Sequence, residues 1–140
     1  MTRMPSLELD WLPGRFAICR LASADPIPTW ATTSANERAA LVAIVRTGAE
    51  LTVVVPEHHV PPGVRAERGL TALAVRGPLD FALVGVLARL TAALAGGGVP
   101  VLAYSTFDTD VLLVRADRED DATRALARVA VVHPRPTTHP

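Results

Sequence analysis

The sequence predicts an α+β fold of antiparallel strands with the helices packed on one face. From about residue 70 onward, short apolar runs of strand character alternate with two stretches of helical periodicity. Their order is strand, helix, strand, strand, helix, strand. This βαββαβ order is that of a ferredoxin-like unit. A shorter series of strands precedes it, and 49% of the residues are hydrophobic, which suffices for a packed core.

The first strands are predicted from alternation and turn signals. Residues 7–11 alternate as a half-buried strand does, and residues 12–15 contain the Pro-Gly pair of a tight turn. Residues 16–21 are predicted to return as the next strand. The prolines at 25–28 end it, and a loop with one helical turn around Trp30 is expected to follow.

A hairpin and a connection complete the first half. Residues 41–46 and 51–55 are rich in β-branched side chains and are separated by the turn at 47–50. The proline-rich segment 58–63 is predicted to connect this hairpin to the strand at 70–75.

The clearest helix is predicted at 80–94. Leu83, Leu87, Leu90 and Leu94 fall on one helical stripe. Asp80 is the expected N-cap, because its carboxylate can accept hydrogen bonds from amides of the first turn. Three glycines at 96–98 are expected to end the helix.

The remaining elements follow from the same signals. Strands are predicted at 99–104 and 111–114, a second helix at 117–128, and a short strand at 131–133. The acidic start of the second helix complements the helix dipole.

Two units in tandem are predicted, since the turn at 47–50 and its flanks echo the turn at 105–110. The expected division is a reduced N-terminal unit at 1–63, a C-terminal unit at 64–134 and a flexible tail at 135–140.

Charge and cysteine content narrow the function classes. Lys plus Arg and Asp plus Glu both number 14, so no basic surface is expected to recruit nucleic acid or membrane lipid. The single cysteine, Cys19, excludes an intrachain disulfide, and the start of the chain lacks the apolar stretch of a signal peptide. We therefore expect a cytoplasmic protein with no nucleic-acid or membrane partner.

The sequence contains no recognisable catalytic or cofactor motif. Its four histidines lack metal-site spacing, and no nucleophile elbow, phosphate-binding loop or dinucleotide fingerprint occurs. We therefore expect no enzymatic activity, no cofactor and no metal site.

Two loops have residues suited to a zwitterion. The segment 77–81 joins a strand to a helix and offers amides at a helix start, which can hold a carboxylate. The segment 105–110 offers carboxylates, of which Asp110 can pair with an ammonium. In a βαββαβ unit these loops can approach each other. The alternative is structural, with Asp80 only capping its helix and Asp108 and Asp110 only shaping a polar turn.

The motifs GPLDF at 77–81 and STFDTDVLLV at 105–114 resemble the aspartate-kinase-like ACT family. Within that family the chain is most similar to small stand-alone tandem ACT proteins of bacteria and the related animal cytosolic arginine sensors. The resemblance is strong at 69–114 and weaker but collinear at 7–55. It implies two ferredoxin-like ACT units in tandem, further assembly as a homodimer, and a ligand at an interface between ACT units.

The resemblance also implies a set of ligand contacts, with Asp110 meeting the amino group. Two positions depart from the arginine-binding copy of the sensors: Leu83 replaces an acid and Asp80 replaces a glycine. The resemblance therefore does not identify which amino acid would bind. The implied contacts are Asp80, Val84, Gly85, Val86, Thr106, Phe107 and Asp110.

The sequence therefore predicts a non-enzymatic, amino-acid-binding regulatory protein. The alternative is a structural or interaction module that dimerises, or docks on a partner enzyme, without binding a ligand.

Overall fold

The computed structural model describes residues 6–36, 40–80 and 82–136, without the side chains of 33–36. The chain forms two compact units, which we call the smaller unit (Pro13–Leu70) and the larger unit (Met1–Leu12 with Thr71–Pro140). The elements are β1 (Glu8–Trp11), β2 (Phe16–Leu21), α1 (Thr29–Asn36), β3 (Ala43–Arg46), β4 (Leu51–Pro56), β5 (Ala66–Val75), α2 (Val86–Gly96), β6 (Leu102–Ser105), β7 (Asp110–Arg115), α3 (Glu119–Leu126) and β8 (Val131–Val132).

The smaller unit is a reduced version of the βαββαβ plan. Its strands lie in the order β3, β4, β2 and the first residues of β5, all antiparallel to their neighbours. The helix α1 follows β2 in the chain, and a 3₁₀ turn at Glu57–His59 stands where the βαββαβ plan has its second helix. The core comprises Ala17, Cys19, Ala31, Leu51, Val53, Val55 and Val60.

Cys19 lies in this core and is only 1% exposed. Burial raises the pKa of its thiol, so the thiol stays protonated and behaves as a small apolar side chain. This agrees with the apolar run around it in the sequence.

The larger unit has the full βαββαβ order with one added strand. β7 lies between β6 and the end of β5, and β1 lies between β5 and β8, antiparallel to the first and parallel to the second. The helices α2 and α3 pack against each other and share one core with the sheet. Its buried residues include Leu7, Leu9, Trp11, Leu73, Val75, Val86, Leu90, Leu94, Leu112, Val114, Ala122 and Leu126.

The prediction that residues 16–21 return along the first strand was wrong. β1 pairs with residues 73–75 and β2 pairs with β4 and with residues 66–70. The strand β5 has ten residues, so both strands find partners along its length. The amide of Leu12 donates to the carbonyl of Ala72 at 2.8 Å, which holds the chain on β5 beyond the end of β1.

The compact units and the predicted domains divide the chain at different places. Because β1 pairs with the end of β5, residues 6–12 belong with the C-terminal part of the chain. Arg135 starts the predicted tail, yet its guanidinium forms an ion pair with Glu119 and donates to the carbonyl of Leu12 at 3.0 Å. Its Cζ also lies 5.0 Å from the centroid of the Trp11 ring. The first residue of the predicted flexible tail is therefore bound to the larger unit. Residues 137–140 lie outside the described residues.

The two predicted hairpins close with the same turn chemistry. The amide of Thr47 donates to the carbonyl of Glu50 at 2.9 Å, and the amide of Thr106 donates to that of Thr109 at 2.7 Å. In return, each threonine Oγ1 accepts from the amide three residues later, at 3.2 and 3.1 Å. The echo between the two turns in the sequence is therefore a similarity of structure.

Charged side chains link three strands of the larger unit. Arg76 donates to Asp10 at 2.7 Å and to Glu8 at 3.3 Å, and His133 lies 3.0 Å from Glu8. The hydrogen bond from Arg76 holds the pKa of Asp10 below its usual value. The network therefore ties β1 to both of its neighbours most effectively when Asp10 is ionised.

We expect the stabilisation by Asp10 to be lost in acid. Its pKa is lower in the folded chain, so its contribution is complete above the unfolded value of about 3.9 and disappears as the pH falls through the folded value. The side chain is 39% exposed, so the effect should stay below about 1 kcal/mol. Melting temperatures of wild type and Asp10→Asn should differ at pH 7 and converge below about pH 4. A difference that is constant down to pH 3 would contradict this assignment.

The substitution Leu90→Ala tests the core of the larger unit. Leu90 is fully buried on α2, so truncation should lower the free energy of unfolding by about 2–5 kcal/mol. Urea denaturation measures the loss. Ala88→Gln, at an exposed position of the same helix, is the control and should change stability by less than about 0.5 kcal/mol.

Candidate functional site

The two loops that the sequence singles out meet in the larger unit. The amide of Leu79 donates to the carbonyl of Asp108 at 2.8 Å, and the Thr109 hydroxyl donates to the carbonyl of Val75 at 2.6 Å. Gly77 packs so closely that a Cβ there would lie 3.0 Å from the Asp108 carbonyl oxygen. The expected approach of segments 77–81 and 105–110 is therefore confirmed for their described residues; Phe81 lies outside them.

An open cleft of about 260 Å³ lies between these segments and the start of α2. Its apolar side chains come from the segment leading into the helix and from the tip of the turn, while its polar side chains come mainly from the turn. The lining residues are Leu79, Asp80, Leu83, Val86, Ser105, Thr106, Phe107, Asp108, Thr109 and Asp110.

The helix beside the cleft begins later than predicted, and Asp80 does not cap it. α2 starts at Val86, after Gly85 with a left-handed φ of 85°. The Asp80 carboxylate accepts from the amide of Ala82 at 2.9 Å, and its carbonyl accepts from the amide of Leu83 at 2.9 Å. Asp80 thus closes a local turn, as aspartates do when they compete with helical hydrogen bonding.

This late start changes which groups face the cleft. Leu83, predicted as part of the helical core stripe, does pack against the core, but it lies ahead of the helix and also lines the cleft. Val86 begins the helix and also lines the cleft. The first amides of a helix have no acceptor within it, and they carry the positive end of the helix dipole.

The hairpin turn presents Asp110 in a fixed orientation. Ser105 and Asp110 are paired across β6 and β7. The hydroxyl of Ser105 donates to Asp110 Oδ1 at 2.6 Å. The hydroxyl of Thr106 donates to the carbonyl of Thr109 at 3.1 Å, so the turn is closed by its own side chains. The Asp110 carboxylate can therefore receive a cation with its remaining acceptor capacity.

Two large apolar side chains near the cleft are almost fully exposed. Val84 is 82% exposed and Phe107 is 89% exposed, more than the other large apolar side chains of the described residues. Phe107 stands at the tip of the turn, and Val84 lies just ahead of α2. Exposed apolar side chains mark a surface that meets another molecule when they form a contiguous patch.

The seven predicted contact residues divide into two groups. Asp80, Val86, Thr106, Phe107 and Asp110 line the cleft, whereas Val84 and Gly85 are not part of the described lining. The sequence reasoning did not assign contacts to five other lining residues. Leu79 and Leu83 are apolar residues whose role depends on where the helix starts. Ser105, Asp108 and Thr109 belong to the turn motif, which already indicated them.

The charged side chains of the described lining are all carboxylates: Asp80, Asp108 and Asp110. A cationic group of a ligand would therefore be attracted, and a carboxylate of a ligand would depend on backbone amides for its hydrogen bonds. Within the described residues, no group of three or more His, Cys, Asp or Glu side chains is arranged to hold a metal ion. In the same parts of the chain, no helix is long and apolar enough to cross a membrane.

Two family models match the chain, one in each half. The ACT domain model matches residues 65–128. This segment contains β5, α2, β6, β7 and α3, and it therefore includes the cleft. Residues 65–128 are an ACT domain. A second model, described as the N-terminal domain of another protein group, matches residues 14–63.

Solved structures have the same fold over nearly the whole chain. A protein from Agobacterium tumefaciens is 29% identical, with a TM-score of 0.83, covering 97% of this chain and 100% of its own. A Vibrio cholerae protein of unknown function is 17% identical, with a TM-score of 0.70 and coverage of 89% and 91%. The regulatory subunit of aspartate kinase from Thermus thermophilus, in its ligand-free form, is 14% identical, with a TM-score of 0.59 and coverage of 83% and 93%. None of the curated proteins compared with the chain matches it significantly.

The contact between the two loops of the ACT domain can be tested at Gly77. A methyl group there would lie 3.0 Å from the Asp108 carbonyl oxygen and 3.2 Å from Thr109 Cβ, so the loops must separate. We expect Gly77→Ala to lower the free energy of unfolding by about 1–3 kcal/mol. Gly48→Ala is the control, because no atom lies within 4 Å of its added Cβ and the change should stay within about 1 kcal/mol. Equal effects of the two substitutions in urea denaturation would refute the close contact.

Proposed function

We propose that this chain is a non-enzymatic regulatory protein that binds an amino acid in the ACT-domain cleft, at an interface between ACT units. The proposal is carried by one observation: the described cleft brings Asp80, Asp110 and the first residue of α2, Val86, around one space. Carboxylates and unbonded helix amides are the two receptors that a zwitterion requires. The proposed contacts are Asp80, Val84, Gly85, Val86, Thr106, Phe107 and Asp110.

The two ends of the ligand have different partners in this proposal. Asp110, held by Ser105 at 2.6 Å, receives the ammonium. The amides at the start of α2 receive the carboxylate, since the described lining offers it no cationic side chain. Leu79, Leu83 and Phe107 surround the remaining space with apolar surface. A ligand with a second carboxylate would face three aspartates and is disfavoured.

The interface part of the proposal is supported by the exposed apolar side chains. Phe107 lines an open cleft and is 89% exposed, so a ligand bound there by one ACT unit alone would remain in contact with water. A second copy of the chain seated over Phe107 and Val84 would remove this apolar surface from water and enclose the ligand. We therefore propose a homodimer as the binding form.

The smaller unit does not offer an equivalent site in this proposal. Arg46 precedes the turn threonine Thr47 as Ser105 precedes Thr106. The Arg46 guanidinium donates to the carbonyls of Ser23 and, at 2.8 Å, Asp25. The connection after β2 is thereby joined to its hairpin by a long cationic side chain. We propose one ligand site per chain, in the larger unit.

The second candidate is an interaction module that dimerises or docks on a partner enzyme without a ligand. The exposure of Val84 and Phe107 also favours this function, because exposed apolar side chains can contact a partner protein whether or not the cleft binds a ligand.

The proposed setting for either function is the cytoplasm, because Cys19 is a buried free thiol and free thiols persist where the compartment is reducing.

Thermal-shift measurements against the twenty L-amino acids test the proposal. An amino acid at 100 times its dissociation constant should stabilise the protein by about 2.7 kcal/mol. Asp110→Asn should abolish the shift, since it removes the charge that pairs with the ammonium. Asp117→Asn makes the same chemical change at an exposed position outside the cleft and should leave the shift intact. Calorimetry should give one ligand per chain.

Two outcomes would refute the proposal. No shift with any amino acid, for a protein that sedimentation shows to be a stable dimer, would favour the interaction module. A shift that survives Asp110→Asn would place the ligand elsewhere.

A further inference from the structure

We propose that Thr109 is a positioning residue that sets the width of the cleft and thereby the size of side chain that it accepts. The inference rests on the proposed function, because it concerns the same cleft. Thr109 is not one of the residues proposed above to contact the ligand. Its hydroxyl instead donates to the carbonyl of Val75, the last residue of β5, at 2.6 Å.

This hydrogen bond spans the two walls of the cleft. Val75 leads through Gly77 into Leu79 and Asp80, which form one wall, and Thr109 belongs to the turn that forms the other. The bond is partly buried, so water competes with it less than with the exposed hydrogen bonds of the turn. Thr109 therefore helps to set how far the turn lies from the segment after β5.

Two further contacts act on the same pair of segments. The amide of Leu79 donates to the carbonyl of Asp108 at 2.8 Å. A Cβ added at Gly77 would lie 3.2 Å from Thr109 Cβ, so the two segments lie this close because residue 77 is a glycine. The Leu79 amide and the Thr109 hydroxyl therefore both oppose widening of the cleft. Of these groups, only the Thr109 hydroxyl can be removed while the shape of the side chain is kept.

Loss of the Thr109 hydroxyl should favour movement of the turn away from β5. Loss of the donor leaves the Val75 carbonyl without this partner, and a partly buried carbonyl regains a hydrogen bond when water enters. A water molecule that takes the place of the hydroxyl between Val75 and the turn needs the turn to move away from β5. The cleft should therefore widen, and larger ligand side chains should gain relative to smaller ones.

The test compares Thr109→Val, which keeps the shape and removes the donor, with Thr109→Ser, which keeps the donor. The probes are the twenty L-amino acids, and titration calorimetry on the full-length protein gives the dissociation constant of each that binds. For Thr109→Val we expect binding of the best wild-type probe to weaken about fivefold and the ranking to shift toward larger side chains. Thr109→Ser should restore the wild-type ranking. Thr123→Val, which removes a hydroxyl that bonds the carbonyl of Glu119 within α3, should leave the ranking unchanged.

The outcomes separate this inference from the proposed function. Wild-type protein that binds none of the probes overturns both. Wild-type binding with an unchanged ranking in Thr109→Val overturns only the role of Thr109, even if the melting temperature falls, because a purely structural residue lowers stability without altering selectivity. A ranking that shifts equally in Thr109→Val and Thr109→Ser also overturns it, since the hydroxyl would not be the cause.

Discussion

The pairing of β1 with both β5 and β8 is the constraint on which the larger unit depends. β8 has two residues, and its parallel pairing with β1 joins the end of α3 to the sheet. The inward side chains Leu7, Leu9 and Trp11 fill the core under α2 and α3, while Asp10 on the opposite face binds Arg76. A segment distant in sequence therefore completes the ACT domain, whose matched residues begin only at 65.

The position of the cleft follows from this sheet. β1 and β7 flank β5, so the end of β5 at Val75 is held on both sides and the chain beyond it leaves the sheet from a fixed point. The hairpin after β6 reaches that point and binds it through Thr109 and Asp108. The cleft therefore has walls that bond to each other without a ligand, which lowers the ordering cost of binding.

The sequence predicted what periodicity and motifs encode locally. It identified the βαββαβ order, both hairpins and the loops around the cleft, because strand alternation, helical stripes and the STFDTD motif are local signals. It could not predict that β1 pairs with β5 rather than with β2, since the partner lies about 60 residues away and a turn signal at Gly14 fits either arrangement. The start of α2 was misjudged because the apolar stripe extends through Leu83, while the left-handed φ of Gly85 and the turn at Asp80 interrupt the backbone.

The hydrogen bonds between the walls of the cleft also bear on how the proposed ligand would act as a regulator. A ligand shifts an equilibrium only by its difference in affinity between two states. The described walls of the cleft are already joined by hydrogen bonds, so we expect the proposed ligand to change little within the unit. In the proposed homodimer, by contrast, the exposed Phe107 and Val84 would be covered in the assembled state and open to water in the free chain. If a ligand binds the covered state more tightly, its free energy acts on assembly, and the regulatory response is a change of partner contacts rather than a change of the fold.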